Sequence, residues 1–286
     1  MTGLAVALVL SSAVLHATWN LFAKRVSGGV GFVWLMTTLQ SLIYLPLALY
    51  ILVVDQPPLT PMHLVFVLGS GVLHIGYFTL LGKGYQKGDL SLVYPLARGT
   101  GPMLSTTAAI LLLGERPTPL ALVGAACIGI GVFILTGDPR KFRENGAAQG
   151  VMYALMTGVI IAAYTLWDKQ AVTTLVFPPL LYDWACSTAR GIILVPYALR
   201  HRAEIAYHWK LHRRETLGVA ILSPLSYILV LTALTFSPVS YVAPAREISI
   251  LIGALFGARL LAEGDARRRM WAATVMVAGV VALAIG

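Results

Sequence analysis

Ten apolar runs, each long enough to cross a bilayer as a helix, follow one another along this chain. They lie near 3–24, 31–54, 62–83, 89–113, 118–136, 148–169, 178–200, 216–236, 239–262 and 269–285. In hydrocarbon every backbone N–H and C=O must be paired within the protein, which leaves only helices and closed barrels. No run alternates with the period of two that a membrane barrel strand needs, so the sequence predicts an all-α integral membrane protein. The charge content agrees. Only 12% of the 286 residues are Asp, Glu, Lys or Arg, against roughly a quarter in a soluble domain, and the mean hydropathy is +0.79. The first run lacks a basic leader and continues through His16, Trp19 and Asn20 to Lys24, so it reads as a retained helix rather than a cleaved signal.

The few charges inside these runs repeat. Ala97-Arg98 followed by Leu112-Leu113-Gly114-Glu115 returns, 148 residues later and without a gap, as Ala245-Arg246 followed by Leu260-Leu261-Ala262-Glu263. The same shift sets Trp19 on Trp167, Asn20 on Asp168 and Gly131 on Gly279. The chain therefore divides into residues 1–137, a polar linker 138–147, and residues 148–286, with five runs in each half. Five is odd, so the second copy enters the membrane from the opposite side and the sequence repeat becomes an inverted-topology repeat, the construction of many transporters.

Orientation follows from Lys and Arg. One set of connectors holds 15 of them, from Lys24 and Arg25 to Arg267, Arg268 and Arg269, whereas the opposite set holds Arg116 and Lys169. The first set belongs in the cytoplasm and both termini outside it. This scatter over short connectors explains the net charge of +9 without nucleic acid as a partner. The partners expected are the lipid bilayer and a small-molecule substrate, with the chain a monomer or homodimer. Cys127 and Cys186 lie far apart in apolar runs and read as packing residues.

Ionisable groups at mid-membrane are expensive, about 2.5–3.5 kcal/mol for Arg or Asp on insertion scales, and so mark function. Arg98 and Arg246 come first, because inverted symmetry brings both towards one midplane cavity, where two guanidiniums would grip a carboxylate, phosphate or phosphonate. Pro95, Gly99, Gly101 and Pro102 around the first, and Pro244 before the second, suggest broken helices there. Glu247 would neutralise an arginine or carry a coupling proton, and on a continuous helix it points about 100° away from Arg246. Asp183 and Arg190 share one helix face, with Asp183 placed near the end of its span. His16, Asn20 and Lys24 form one polar stripe beside Trp19. His74 and Tyr77 pair similarly, and Tyr77, Tyr94 and Trp167 could line the cavity. Trp167-Asp168-Lys169 reads as the solvated end of the sixth helix, and Glu115 as the partner of Arg116 or Arg259. With Arg98, Arg190 and Arg246 against Asp183 and Glu247, one positive charge is left over for an anion.

The two five-helix halves, together with Gly114-Glu115-Arg116 closing the fourth run and Ala262-Glu263 closing the ninth, resemble the EamA type of the drug/metabolite transporter superfamily over essentially the whole chain. His16-Ala17-Thr18-Trp19-Asn20 is also similar to a subgroup associated with phosphonate utilisation. The resemblance implies a ten-helix basket around a central cavity, a multi-pass protein of the inner (plasma) membrane, and alternating access, more often for export than uptake.

No phosphate-cradling glycine loop, zinc-protease motif, cysteine cluster or hydrolase elbow is present, so no enzyme activity, cofactor or metal is expected. The function read from the sequence is secondary transport of a small polar, anionic metabolite. Its rivals are a broad exporter of drugs or amino acids, whose site would be dominated by Glu247, Trp19 and Trp167, and an intramembrane enzyme acting on a lipid phosphate.

Overall fold

The computed structural model describes residues 1–26, 29–87, 90–136, 147–253 and 266–286. Its regular structure is entirely helical: α1 (Gly3–Val26), α2 (Val30–Tyr50), α3 (Pro61–Lys87), α4 (Leu90–Leu112), α5 (Pro119–Thr136), α6 (Ala147–Thr173), α7 (Pro179–Ile193), α8 (Val195–Arg200), α9 (Arg202–Phe236), α10 (Val239–Arg246), α11 (described over 248–253) and α12 (Ala266–Ile285). A π-turn, Ile51–Asp55, extends α2. Among the described residues five helices are long and apolar enough to cross a membrane by length and composition alone: those at Gly3–Val26, Val30–Asp55, Pro61–Lys87, Ala148–Thr173 and Arg202–Phe236.

Helix ends follow local chemistry. α4 stops where Gly114 takes φ +69°, a left-handed value that costs glycine nothing, and Glu115 N–H then reaches back to Ala109 C=O at 3.2 Å. The following Glu115 carboxylate accepts the N–H groups of Val239 and Ser240, at 2.7 and 2.9 Å, and so caps the first turn of α10 in the other half. That replaces the expected pairing with Arg116 or Arg259, the latter of which, like Glu263, lies outside the described residues.

Two further expectations change. α4 runs unbroken past Gly99, Gly101 and Pro102. Its glycines instead admit neighbours: a Cβ on Gly101 would sit 2.6 Å from Ile161 of α6, and one on Gly99 3.3 Å from Val132 of α5. The break occurs only in the second half, at Glu247 between α10 and α11. The basic connector after Arg200 is also helical, with residues from Arg202 onward joined to the following span across a kink at His212.

Packing follows the repeat. Under the 148-residue shift α1 corresponds to α6, α2 to α7 and α8, α3 to α9, α4 to α10 and α11, and α5 to α12. Equivalent helices pack on each other (α5 on α12, α2 on α7, α4 on α10), while α1 against α9 is mirrored by α6 against α3. The α5–α12 crossing shows the symmetry atom by atom. A Cβ on Gly279 would meet the Gly124 carbonyl at 2.7 Å, and one on Gly131 would meet Met276 and the Ala272 carbonyl. The shift carries Gly124 to Ala272, Ile128 to Met276 and Gly131 to Gly279, and Ile128 in turn packs on Gly279. Each contact therefore has its copy on the other helix, as an inverted two-fold axis through the crossing requires. The amino group of Met1 approaches the Leu283 and Ala284 carbonyls within 3.4 Å, placing both termini at one end of the bundle.

Candidate substrate site between the repeats

α4 and α10 pack together at the centre of the molecule, and each turns its arginine inward. Arg98 is 2% exposed and Arg246 5%. Both line a cavity of about 70 Å³ enclosed by α1, α2, α3, α4, α6, α7, α9 and α10. Between them stands Glu247, 1% exposed, with Oε2 2.9 Å from Arg98 Nε and Oε1 3.9 Å from Arg246 Nε. A continuous helix would turn Glu247 away from its neighbour. The chain instead leaves α10 there, with Glu247 at φ −70° and ψ −8°, and the carboxylate comes back between the guanidiniums. Arg246 also donates to the Tyr164 hydroxyl at 3.4 Å.

The third arginine, Arg190, enters the same cavity from α7 and donates to Ser187 at 2.7 Å. Asp183, two turns earlier on α7, lines it too and is buried, not solvated at a span end, because α2 packs over it and Gln40 donates to its carboxylate at 3.1 Å. His16 and Trp19 close one wall, ring against ring edge at 4.9 Å. An aromatic group from α3, α6 and α9 lines the cavity as well: His74 stacks on Tyr164 at 4.3 Å, with Tyr77 and Tyr227 edge-on to Tyr164.

Other expected members stand apart. Asn20 is not on the cavity wall; its amide donates to the His16 carbonyl of its own helix at 2.8 Å, and Lys24, the end of the expected stripe, is exposed. Trp167 lies against α3, its ring stacked on Phe66 and its N–H on the Phe66 carbonyl at 2.9 Å, because Gly69 leaves a gap that any Cβ would fill. The Tyr94 side chain lies outside the described residues.

The solvated end expected at Asp168-Lys169 is absent, since α6 continues to Thr173. Asp168 is fully buried, and it accepts the Tyr182 hydroxyl on Oδ1 at 2.6 Å and the Tyr227 hydroxyl on Oδ2. Lys169 turns to the last carbonyls of α9, at 2.5 Å from Leu234 O and 3.0 Å from Ser237 O, the position where a cation suits a helix C-terminus. The pairing of Asp168 with Asn20 across the repeat was the available sequence signal that this acid lies inside the bundle.

The central cavity holds a water or two at about 30 Å³ of liquid volume each, whereas small-molecule sites run to several hundred Å³. This conformation is closed around its charges. A larger groove, about 440 Å³, lies between α2, α8 and α9, but its walls are Trp34, Leu35, Leu39, Leu199, Ile205 and similar groups, with Arg202 the one charged member. It shares no lining residue with the arginine cavity. Among the described residues no group of three His, Cys, Asp or Glu side chains is placed to hold a metal.

Comparison with known proteins bears on the whole chain. A solved crystal structure of 15% identity superposes with a TM-score of 0.76 over 100% of this chain and 98% of its own, which establishes a shared fold. No curated protein matches in sequence. The model of the EamA-like transporter family matches twice, over residues 3–137 and 148–285, one match to each five-span half. Two matched repeats, an inverted helical basket and a charged cavity at its centre make this chain a multi-pass membrane protein of the EamA-like transporter family, within the drug/metabolite transporter superfamily.

Proposed function

We propose that this chain is a secondary transporter of a small anionic metabolite in a bacterial-type inner membrane, working by alternating access as a monomer or homodimer. The observation that carries this reading is the sharing of one carboxylate, Glu247, between two buried guanidiniums contributed by repeat-equivalent positions. Two arginines and one acid leave one cation unmatched, and Arg190, which Asp183 offsets, leaves that excess unchanged. A carboxylate, phosphate or phosphonate on the solute completes this set, and a guanidinium fork offers it paired, charge-assisted donors. Glu247 occupies the place of such an anion while the cavity is closed. Opening to either side would admit the solute beside Arg98 and Arg246, and the break at Glu247 supplies a hinge where α10 and α11 can change their angle.

A zwitterionic amino acid is the second reading, favoured by Asp183 on the same cavity as the arginines. Its ammonium would need that acid. The broad drug exporter loses support because Trp167 packs away from the cavity and Glu247 is held by arginine.

Thermal stabilisation of the purified protein by phosphonates, phosphate esters, carboxylates, amino acids and lipophilic cations tests the assignment. A ligand at a hundred times its Kd adds about 2.7 kcal/mol. Anions are expected to stabilise the wild type, and Arg98→Gln and Arg246→Gln to lose that response while remaining folded. Equal stabilisation of all three proteins by cations would refute an arginine site.

A further inference from the structure

Asp168 is a fully buried acid outside the arginine cluster. Each of its oxygens meets a phenol, Tyr182 from α7 and Tyr227 from α9. Among the described residues no Lys or Arg forms an ion pair with it. Lys169, its neighbour in sequence, is bonded to carbonyls, and Arg190 to Ser187. The other groups facing it are Asp183, Cys186 and Arg190 on α7 and Ser70 on α3, with His74 of α3 edge-on to Tyr227 at 5.7 Å.

An ionised carboxylate buried without an ion-paired cation is costly, and the hydroxyl donors of Tyr182, Tyr227 and Ser70, with Arg190 further off, offset only part of that cost. A carboxylic acid in the same place can donate its proton to the Tyr182 oxygen, whose own hydroxyl then turns to the Phe66 carbonyl at 3.5 Å, while it still accepts from Tyr227. Tyr227 gives this acid a route to the cavity, for it is at once a wall of the cavity and a partner of Asp168. When the cavity opens and fills with water, the tyrosine can yield to solvent and the charged form becomes tolerable. Proton affinity that differs between closed and open states is what coupling requires. The equivalent position in the first repeat is Asn20, of the same shape but unable to carry a proton. The device is therefore present once.

We infer that Asp168 is the proton-binding group of the transport cycle, protonated from the open, hydrated cavity through Tyr227 as the anion enters, holding the proton while the cavity is closed and releasing it when the cavity reopens. This rests on the transporter reading above and adds its coupling. With Asp168 neutral, Arg98, Arg190 and Arg246 exceed Asp183 and Glu247 by one charge, whereas with Asp168 ionised the excess vanishes. A proton on Asp168 therefore strengthens anion binding, the anion strengthens proton binding in return, and the two cross together.

Infrared difference spectra of reconstituted wild type and Asp168→Asn, recorded without solute as pH is raised, test the proton directly. The expected result is a carboxylic-acid carbonyl band in the wild type that the variant lacks and that disappears at higher pH. Tyr227→Phe, which removes a donor to the charged form, should shift that disappearance upward. A band from Asp168 that is absent at every pH, or that never titrates, overturns the inference. Coupling is read in vesicles with labelled methylphosphonate: an outside-acid gradient of one unit should raise wild-type accumulation up to about tenfold, and Asp168→Asn should bring the ratio with and without gradient to one. A wild-type ratio of one, or an unchanged ratio in the variant, refutes coupling through Asp168. If wild type moves no methylphosphonate, the anion reading loses support while the infrared titration still decides whether Asp168 carries the proton.

Discussion

Glu247 stands where two arginines compete for one carboxylate, and its removal separates a structural from a binding account of the cluster. Glu247→Gln keeps the shape but leaves two guanidiniums buried with no acid between them. Breaking a buried ion pair from one side destabilises by about 3–5 kcal/mol. If the cluster is an anion site, phosphate or a carboxylate should enter in place of the lost side chain and recover much of that stability, so that the variant melts lower than wild type without anions and responds to them more strongly. A variant as stable as wild type, or one indifferent to anions, would show that the arginines need no counter-charge at this place. Arg98 and Arg246 were legible in the sequence because a charge in an apolar run is costly and the repeat displays it twice. Asp183 was legible as a member of the Arg190 face but its burial was not, nor was that of Asp168, since each stands close to an apparent span end where charge is cheap. The side chains that bury them, Tyr182, Tyr227 and Gln40, come from other helices.

At the scale of elements, the join between α4 and α10 is built by two adjacent residues. Gly114 turns the chain left-handed, and Glu115 then reaches the N-terminus of α10, the short helix that carries Arg246 at its other end. Glu115→Ala removes the acceptor of two backbone N–H groups and a negative charge at a helix N-terminus, a loss of about 1–2 kcal/mol. Glu115→Gln retains an acceptor and should lose less. Thermal melts in detergent that rank Ala below Gln below wild type are expected; equal melting of all three would deny the cap. The sequence marked this Gly-Glu pair as a helix end, but the partner it caps lies 124 residues away and only the packing of α4 on α10 reveals it. Helix breaks were legible by half. Proline and glycine suggested one in each repeat, yet α4 absorbs its own by packing Gly99 and Gly101 under Val132 and Ile161, whereas α10 ends where Glu247 must turn to meet two arginines.

Across the whole molecule, an even number of crossings puts the termini on one side, and the contact of Met1 with the last turn of α12 agrees. The duplication was readable because the α4 and α10 arginines and the α5 and α12 glycines sit at fixed distances that no packing accident would repeat. The kink at His212 and the helical start of α9 were missed: Ile205, Ala206 and Trp209 recur at helical spacing, but the charges and histidines among them made the stretch read as a connector. Which side the termini face depends on charge. Lys169 leaves the outer set once its ammonium is seen to cap α9, so 15 connector Lys and Arg stand against Arg116 alone. The positive-inside rule then holds the ends 24–30, 83–89, 137–147, 200–214 and 264–269 in the cytoplasm. Alkaline phosphatase fused after Gly286 should be active and a fluorescent protein there dark, with both results exchanged for fusions truncated within the 138–147 linker. A bright fluorescent C-terminus would reverse the basket. It would also reverse the face at which an imposed acid gradient reaches Asp168, so the topology decides on which side of the membrane the proton is loaded.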